Sequence, residues 1–135
     1  MSFVSIPSQT SQQLKLSIPS HVPEISNIKI FIPLELTYTN FLTWKRLFTT
    51  FLKSQNMLAI VDGSLPCPEP SDESYDLWVQ CDITVHSWIN ASLSLTILEI
   101  LLNHGSETTS HAWNTLERLF LDHAASNMMH LKQKF

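Results

Sequence analysis

The sequence predicts an all-α fold, a small bundle of four to five helices behind a disordered leader. Three observations lead there. Aromatic and aliphatic residues recur at helical spacing in successive stretches, from Phe41 to Leu52, Trp78 to Ile89, Leu95 to Leu102 and Ala112 to Phe120. Turn-forming residues separate these stretches, with Asp62-Gly63 and Asn103-His104-Gly105 the clearest. Hydrophobic residues make up 44% of the 135 positions and charged residues only 15%, a balance that favours a folded core over a disordered polymer.

Residues 1–27 are rich in Ser, Gln and Pro and are predicted to form a disordered leader, with a helical domain over 28–135. Within it, 28–36 is apolar and β-branched and reads as a short extended segment laid on the core. Pro33 argues against a central strand there. The first helix is expected to start near Thr39 or Asn40, either of which can cap it, and to stop near Gln55 and Asn56. Phe41, Trp44, Phe48, Phe51 and Leu52 give it one aromatic face, with Lys45, Arg46, Thr49 and Lys53 between. Residues 57–70 read as a linker, turned at Asp62-Gly63 and kept extended by Pro66, Pro68 and Pro70.

A second helix is expected from Ser71 or Ser74, with Asp72, Glu73 and Asp76 favouring its positive end. Trp78, Cys81, Val85, Trp88 and Ile89 line its inner face, widened by Leu77 and Ile83. The third helix, over 94–102, is apolar nearly all round, so it is buried or lies at an interface. Leu95, Leu98, Leu101 and Leu102 are its candidate assembly face, against the plainer reading of a central core helix. A fourth helix, capped by Thr108 or Thr109, turns Ala112, Trp113, Leu116, Leu119 and Phe120 inward. His123-Ala-Ala-Ser breaks the pattern, and a fifth helix is expected from Ser126 or Asn127 with Met128, Leu131 and Phe135 on one stripe. Ending inside that pattern is what a fragment of a longer protein would show.

Several function classes find no support in the residues. The net charge of -4 does not fit a strong nucleic-acid binder, whose affinity rests on phosphate contacts. Lys45, Arg46, Lys53, Arg118, Lys132 and Lys134 leave room only for a weak RNA contact. Cys67 and Cys81 lie too far apart, and the histidines (His21, His86, His104, His111, His123, His130) too loosely spaced, for a structural zinc site. Asp62-Gly63-Ser64 has the wrong order for an aspartic protease and reads as a turn. No nucleophile-base set or phosphate loop stands out, so no enzyme, cofactor or small-molecule substrate is expected. With neither a signal peptide nor a membrane-spanning run, the expected compartment is the cytoplasm.

Four motifs in series resemble a known family. They are Leu36-Thr-Tyr-Thr-Asn-Phe-Leu-Thr-Trp-Lys-Arg-Leu-Phe48, Ile60-Val-Asp-Gly-Ser-Leu-Pro-Cys-Pro68, Tyr75-Asp-Leu-Trp78 with Asp82 and Ser87-Trp88-Ile89, and Ala112-Trp113-Asn-Thr-Leu-Glu-Arg-Leu-Phe120 after Thr108-Thr109. In order and spacing, over about 33–135, they are similar to the Gag polypeptide of LTR Copia-type retrotransposons, common in plants. The residues that carry the signature are Phe41, Trp44, Phe48, Asp62, Gly63, Trp78, Trp88, Trp113, Leu116 and Phe120. Phe41 stands where the family more usually has Tyr. The resemblance implies a capsid-like helical domain whose copies self-associate into a particle around element RNA. Longer members carry a second helical half and often a Cys-x2-Cys-x4-His-x4-Cys zinc knuckle, neither of which occurs in this sequence. A nucleic-acid-binding segment, or a remnant acting as a protein-binding module, are the alternatives.

Overall fold

In a computed structural model of the protein, the backbone of residues 19–134 and the side chains up to Asp122 are described. Among the described residues, five α-helices follow a 3-10 turn at Ile28–Ile30: α1 (Phe41–Ser54), α2 (Leu58–Asp62), α3 (Tyr75–Ala91), α4 (Leu95–Asn103) and α5 (Thr109–Lys134). Most of residues 1–27 assigned to the leader, and the stripe of Met128, Leu131 and Phe135, lie outside what is described. The all-α bundle is as predicted, but its helices are divided differently.

The stretch 57–62, read as linker, forms the short helix α2. Its Ile60 and Val61, with Met57 before it, are fully buried. The expected break at His123–Ser126 is absent, and the chain runs through it as one helix, α5. Ala124 and Ala125 are strong helix formers, so losing the apolar repeat does not end the helix. The segment 28–36 is not a strand. It opens with the 3-10 turn, and its only sheet-like feature among the described residues is a parallel bridge between Leu36 and Leu93. There Leu36 N–H donates to the Ser92 carbonyl at 2.8 Å, and Ser94 N–H donates to the Leu36 carbonyl at 3.0 Å.

Asn40 does occupy the N-cap of α1, yet its side chain serves the preceding loop instead of the helix. Its Oδ1 accepts from Thr37 N–H at 2.8 Å and its Nδ2 donates to the Glu35 carbonyl at 2.8 Å. After α1, Asn56 takes a left-handed φ of 59°, turning the chain into α2. Gly63 ends α2 with φ 82°. A side chain there would be strained, and a Cβ would stand 3.2 Å from Ser110 Oγ at the head of α5. The turn beyond it is closed by Asp62, whose Oδ1 accepts from Ser64 N–H at 2.8 Å.

The inner face of α3 is as expected, with Trp78, Cys81, Val85, Trp88 and Ile89 buried, but Ile83 points to solvent. Residues 21–25, placed in the leader by composition, lie against this helix. Trp88 Nε1 donates to the Ile25 carbonyl at 3.4 Å, and Val22 and Ile25 pack on the core.

Helix α5 packs against α2, α3 and α4, so its first turn decides how the bundle closes. Thr108 Oγ1 accepts from His111 N–H at 3.2 Å, a local cap. A second cap comes from α3. Asp82 is buried, its Oδ1 accepts from Thr109 N–H at 3.1 Å, and Thr109 Oγ1 donates to the Asp82 carbonyl at 2.7 Å. A carboxylate at a helix N-terminus meets both an orphan N–H and the positive end of the dipole. Replacing Asp82 with Ala removes the acceptor and leaves a buried N–H unpaired. Urea unfolding should then show a loss of about 1–3 kcal/mol, whereas Asp82→Asn, which keeps an acceptor, loses less.

Candidate functional site

Side chains at the α1 signature positions converge on α5. Phe41 stacks on Phe120 with centroids 4.5 Å apart and planes 8° apart. One turn on, Trp44 stacks over Trp113 at 5.4 Å, and Phe48 meets the same indole at 5.9 Å. Phe51 continues the seam toward α3, meeting Trp88 edge-on at 5.0 Å. Offset and edge-on pairs of this kind add about 0.5–1.5 kcal/mol each beyond the area they bury. Helical spacing in α1 and α5 thus becomes a ladder of rings that sews three helices together.

The indole N–H groups are also placed. Trp44 Nε1 donates to Ser92 Oγ at 3.1 Å, and Ser92 Oγ donates in turn to the Ile89 carbonyl at 2.8 Å. Trp78 lies apart from this ladder, where its Nε1 donates to the Leu65 carbonyl at 3.0 Å and holds the proline-rich link to α3. All four tryptophans are buried, as are Phe48, Leu116 and Phe120, while Phe41 is half-buried. Rings so placed cannot serve as platforms for nucleic-acid bases, which need an exposed face. Asp62 and Gly63 do not join this assembly. They sit at the surface, as a turn.

The four candidates on α4 separate. Leu101 is buried and Leu98 half-buried, so both belong to the core side. Leu95 and Leu102 remain exposed, at 71% and 61%. The helix is therefore neither wholly central nor wholly superficial.

No group of three or more His, Cys, Asp or Glu side chains among the described residues could hold a metal ion, and no described helix is long and apolar enough to cross a membrane. Basic side chains gather on the outer face of α1, where Lys45 pairs with Glu117 of α5 at 3.4 Å and Arg46 and Lys53 are exposed. Spacing missed two contributors to the packing. Tyr38 sits 5.9 Å from the Phe120 ring and Asp82 caps α5, both through contacts distant in sequence.

The described residues build a packing unit, an all-helical domain in which Phe41, Trp44, Phe48, Phe51, Trp88, Trp113 and Phe120 form one aromatic seam. Residues 29–69 match the family described as Gag-polypeptide of LTR copia-type. The matched stretch takes in α1, α2 and the first part of the proline-rich link. The match holds Phe41, Trp44, Phe48, Asp62 and Gly63, whereas Trp78, Trp88, Trp113, Leu116 and Phe120 lie beyond it. No curated protein and no solved structure matches the chain.

The two cysteines report on the packing independently. Cys81 is buried and Cys67 exposed. Burial pushes the Cys81 thiol up, and desolvation followed by the charges of Asp82 and Glu69 raises that of Cys67. A thiol reagent should titrate Cys67 alone in the native protein, at a rate that climbs with pH, and reach Cys81 only in denaturant. Equal native reactivity of both would mean that α3 does not pack as described.

Proposed function

We propose that this chain is an assembly piece: a Gag-type helical domain that self-associates in the cytoplasm and contributes to a virus-like particle. The observation that carries this reading is the copia-type match over 29–69, which falls on the α1 and α2 part of the core. Exposed apolar side chains on α4 supply a surface of the kind assembly needs. Leu95 and Leu102 stand at its two ends, while Ile97 and Leu101 hold the helix to the core. A low fraction of charged residues favours association further, since few like charges keep copies apart.

Sedimentation velocity on the whole chain tests this. Dimers or larger species are expected at micromolar concentration. Leu95→Glu with Leu102→Glu should shift them toward monomer while leaving Tm within a few degrees of wild type, because both side chains are exposed. A wild-type protein that stays monomeric at every concentration would sink the reading.

A further inference from the structure

Charge is unevenly distributed along this chain. Helix α1 carries Lys45, Arg46 and Lys53 and no carboxylate. From Lys53 to Arg118 there is no lysine or arginine at all, yet the proline-rich link and the first turn of α3 carry Glu69, Asp72, Glu73 and Asp76. The two blocks also differ in shape. On α1, Leu42, Lys45, Arg46, Thr49, Thr50 and Lys53 line a shallow depression along the outer face. Leu42 is 74% exposed there, and Lys45 is held in place by Glu117. The link is anchored at its start and stiffened beyond. Leu65 N–H donates to the Ala59 carbonyl at 3.0 Å, Trp78 Nε1 grips the Leu65 carbonyl, and Pro66, Pro68 and Pro70 restrict the backbone beyond. Pro66, Glu69, Pro70, Glu73 and Asp76 are exposed along it.

We propose that the outer face of α1 receives the acidic, proline-rich link of a second copy of this chain. Arg46 and Lys53 meet the carboxylates of Glu69, Glu73 and Asp76, while Leu42 and the threonine methyls meet the proline rings. A segment already restricted by its prolines and by Trp78 loses little conformational freedom on docking, which favours affinity. The partner is protein and not nucleic acid for two reasons. On this face Arg46 and Lys53 are the two cations outside the ion pair with Glu117, too few to track a phosphate backbone on a chain of net charge -4. An exposed leucine also has no complement on phosphate, whereas it has one on proline. Because the two surfaces differ, the contact either closes reciprocally between two copies or propagates from one copy to the next.

This inference rests on the self-association proposed above and names one surface for it, distinct from the leucines of α4. The test is sedimentation velocity of the full chain at about 50 mM and about 500 mM salt, since exposed charge pairs weaken as the Debye length shrinks. Association of the wild type should weaken with salt. At low salt the pair Arg46→Glu and Lys53→Glu, and separately the pair Glu69→Lys and Glu73→Lys, should each weaken it by at least about tenfold. Mixing the two reversed proteins should restore it, because each then offers the surface the other needs. Circular dichroism checks that each variant is folded. A wild type monomeric at low salt overturns self-association itself. An associating wild type indifferent to salt and to both reversals overturns this surface alone. Unchanged self-association with loss of RNA binding in Arg46→Glu/Lys53→Glu overturns it in favour of RNA.

Discussion

The ring-on-ring contact between α1 and α5 is the constraint from which the rest of this bundle follows. Phe41 on Phe120 and Trp44 on Trp113 set how far apart the two helices lie and which face each turns to the other. Large aromatic side chains bury more surface per residue than any others, so a domain this short can close its core with few of them. Once α1 and α5 are paired, Phe51 reaches Trp88 and brings in α3, and Trp44 Nε1 reaches Ser92 and fixes the end of α3. The Leu36–Leu93 bridge then places the segment before α1 beside the start of α4.

Polar groups complete what the rings begin. The start of α5 is secured twice, by Thr108 from its own chain segment and by Asp82 from α3. That second cap ties α5 to α3, because Thr109 N–H finds its acceptor only when the two helices are docked. Gly63, against Ser110, allows α2 to approach the same helix head closely. The segment 29–69, which matches the copia-type family model, does not bury its aromatic face by itself. Trp113, Leu116 and Phe120, from outside that segment, close it. Leu95 and Leu102 on α4, and Leu42, Arg46 and Lys53 on α1, are left exposed by this packing.

Much of this was legible in the sequence wherever a helix has one apolar face and a long enough repeat. The inner faces of α1, α3 and α5 follow from spacing alone. Helix α2 was not legible, because five residues give too little period to distinguish a helix from an apolar link. The division of the last helix failed for the opposite reason: spacing reports burial, and a helix running past its core keeps its backbone bonds without the repeat. Asp82 belongs to a motif of the family resemblance, but spacing does not separate it from a solvated acid, since its acceptor role depends on a residue 27 positions away. An unbroken apolar run marks no single face on α4, and helical geometry places Leu95 and Leu102 on one side and Leu101 on another. Residues 21–25 look like leader by composition and are held by single contacts, such as Ile25 with Trp88, that no composition reveals.

A double-mutant cycle on Trp44 and Trp113 tests the central claim most directly, with stability measured by denaturant unfolding of the two alanine variants and their combination. Each single change should cost about 3–5 kcal/mol, as for a buried aromatic truncated to alanine. The pair should cost less than the sum, with about 0.5–1.5 kcal/mol of coupling from the stacked rings. Strict additivity, with each variant losing under about 1 kcal/mol, is what exposed and separate indoles would show, and it would contradict a core built on this seam.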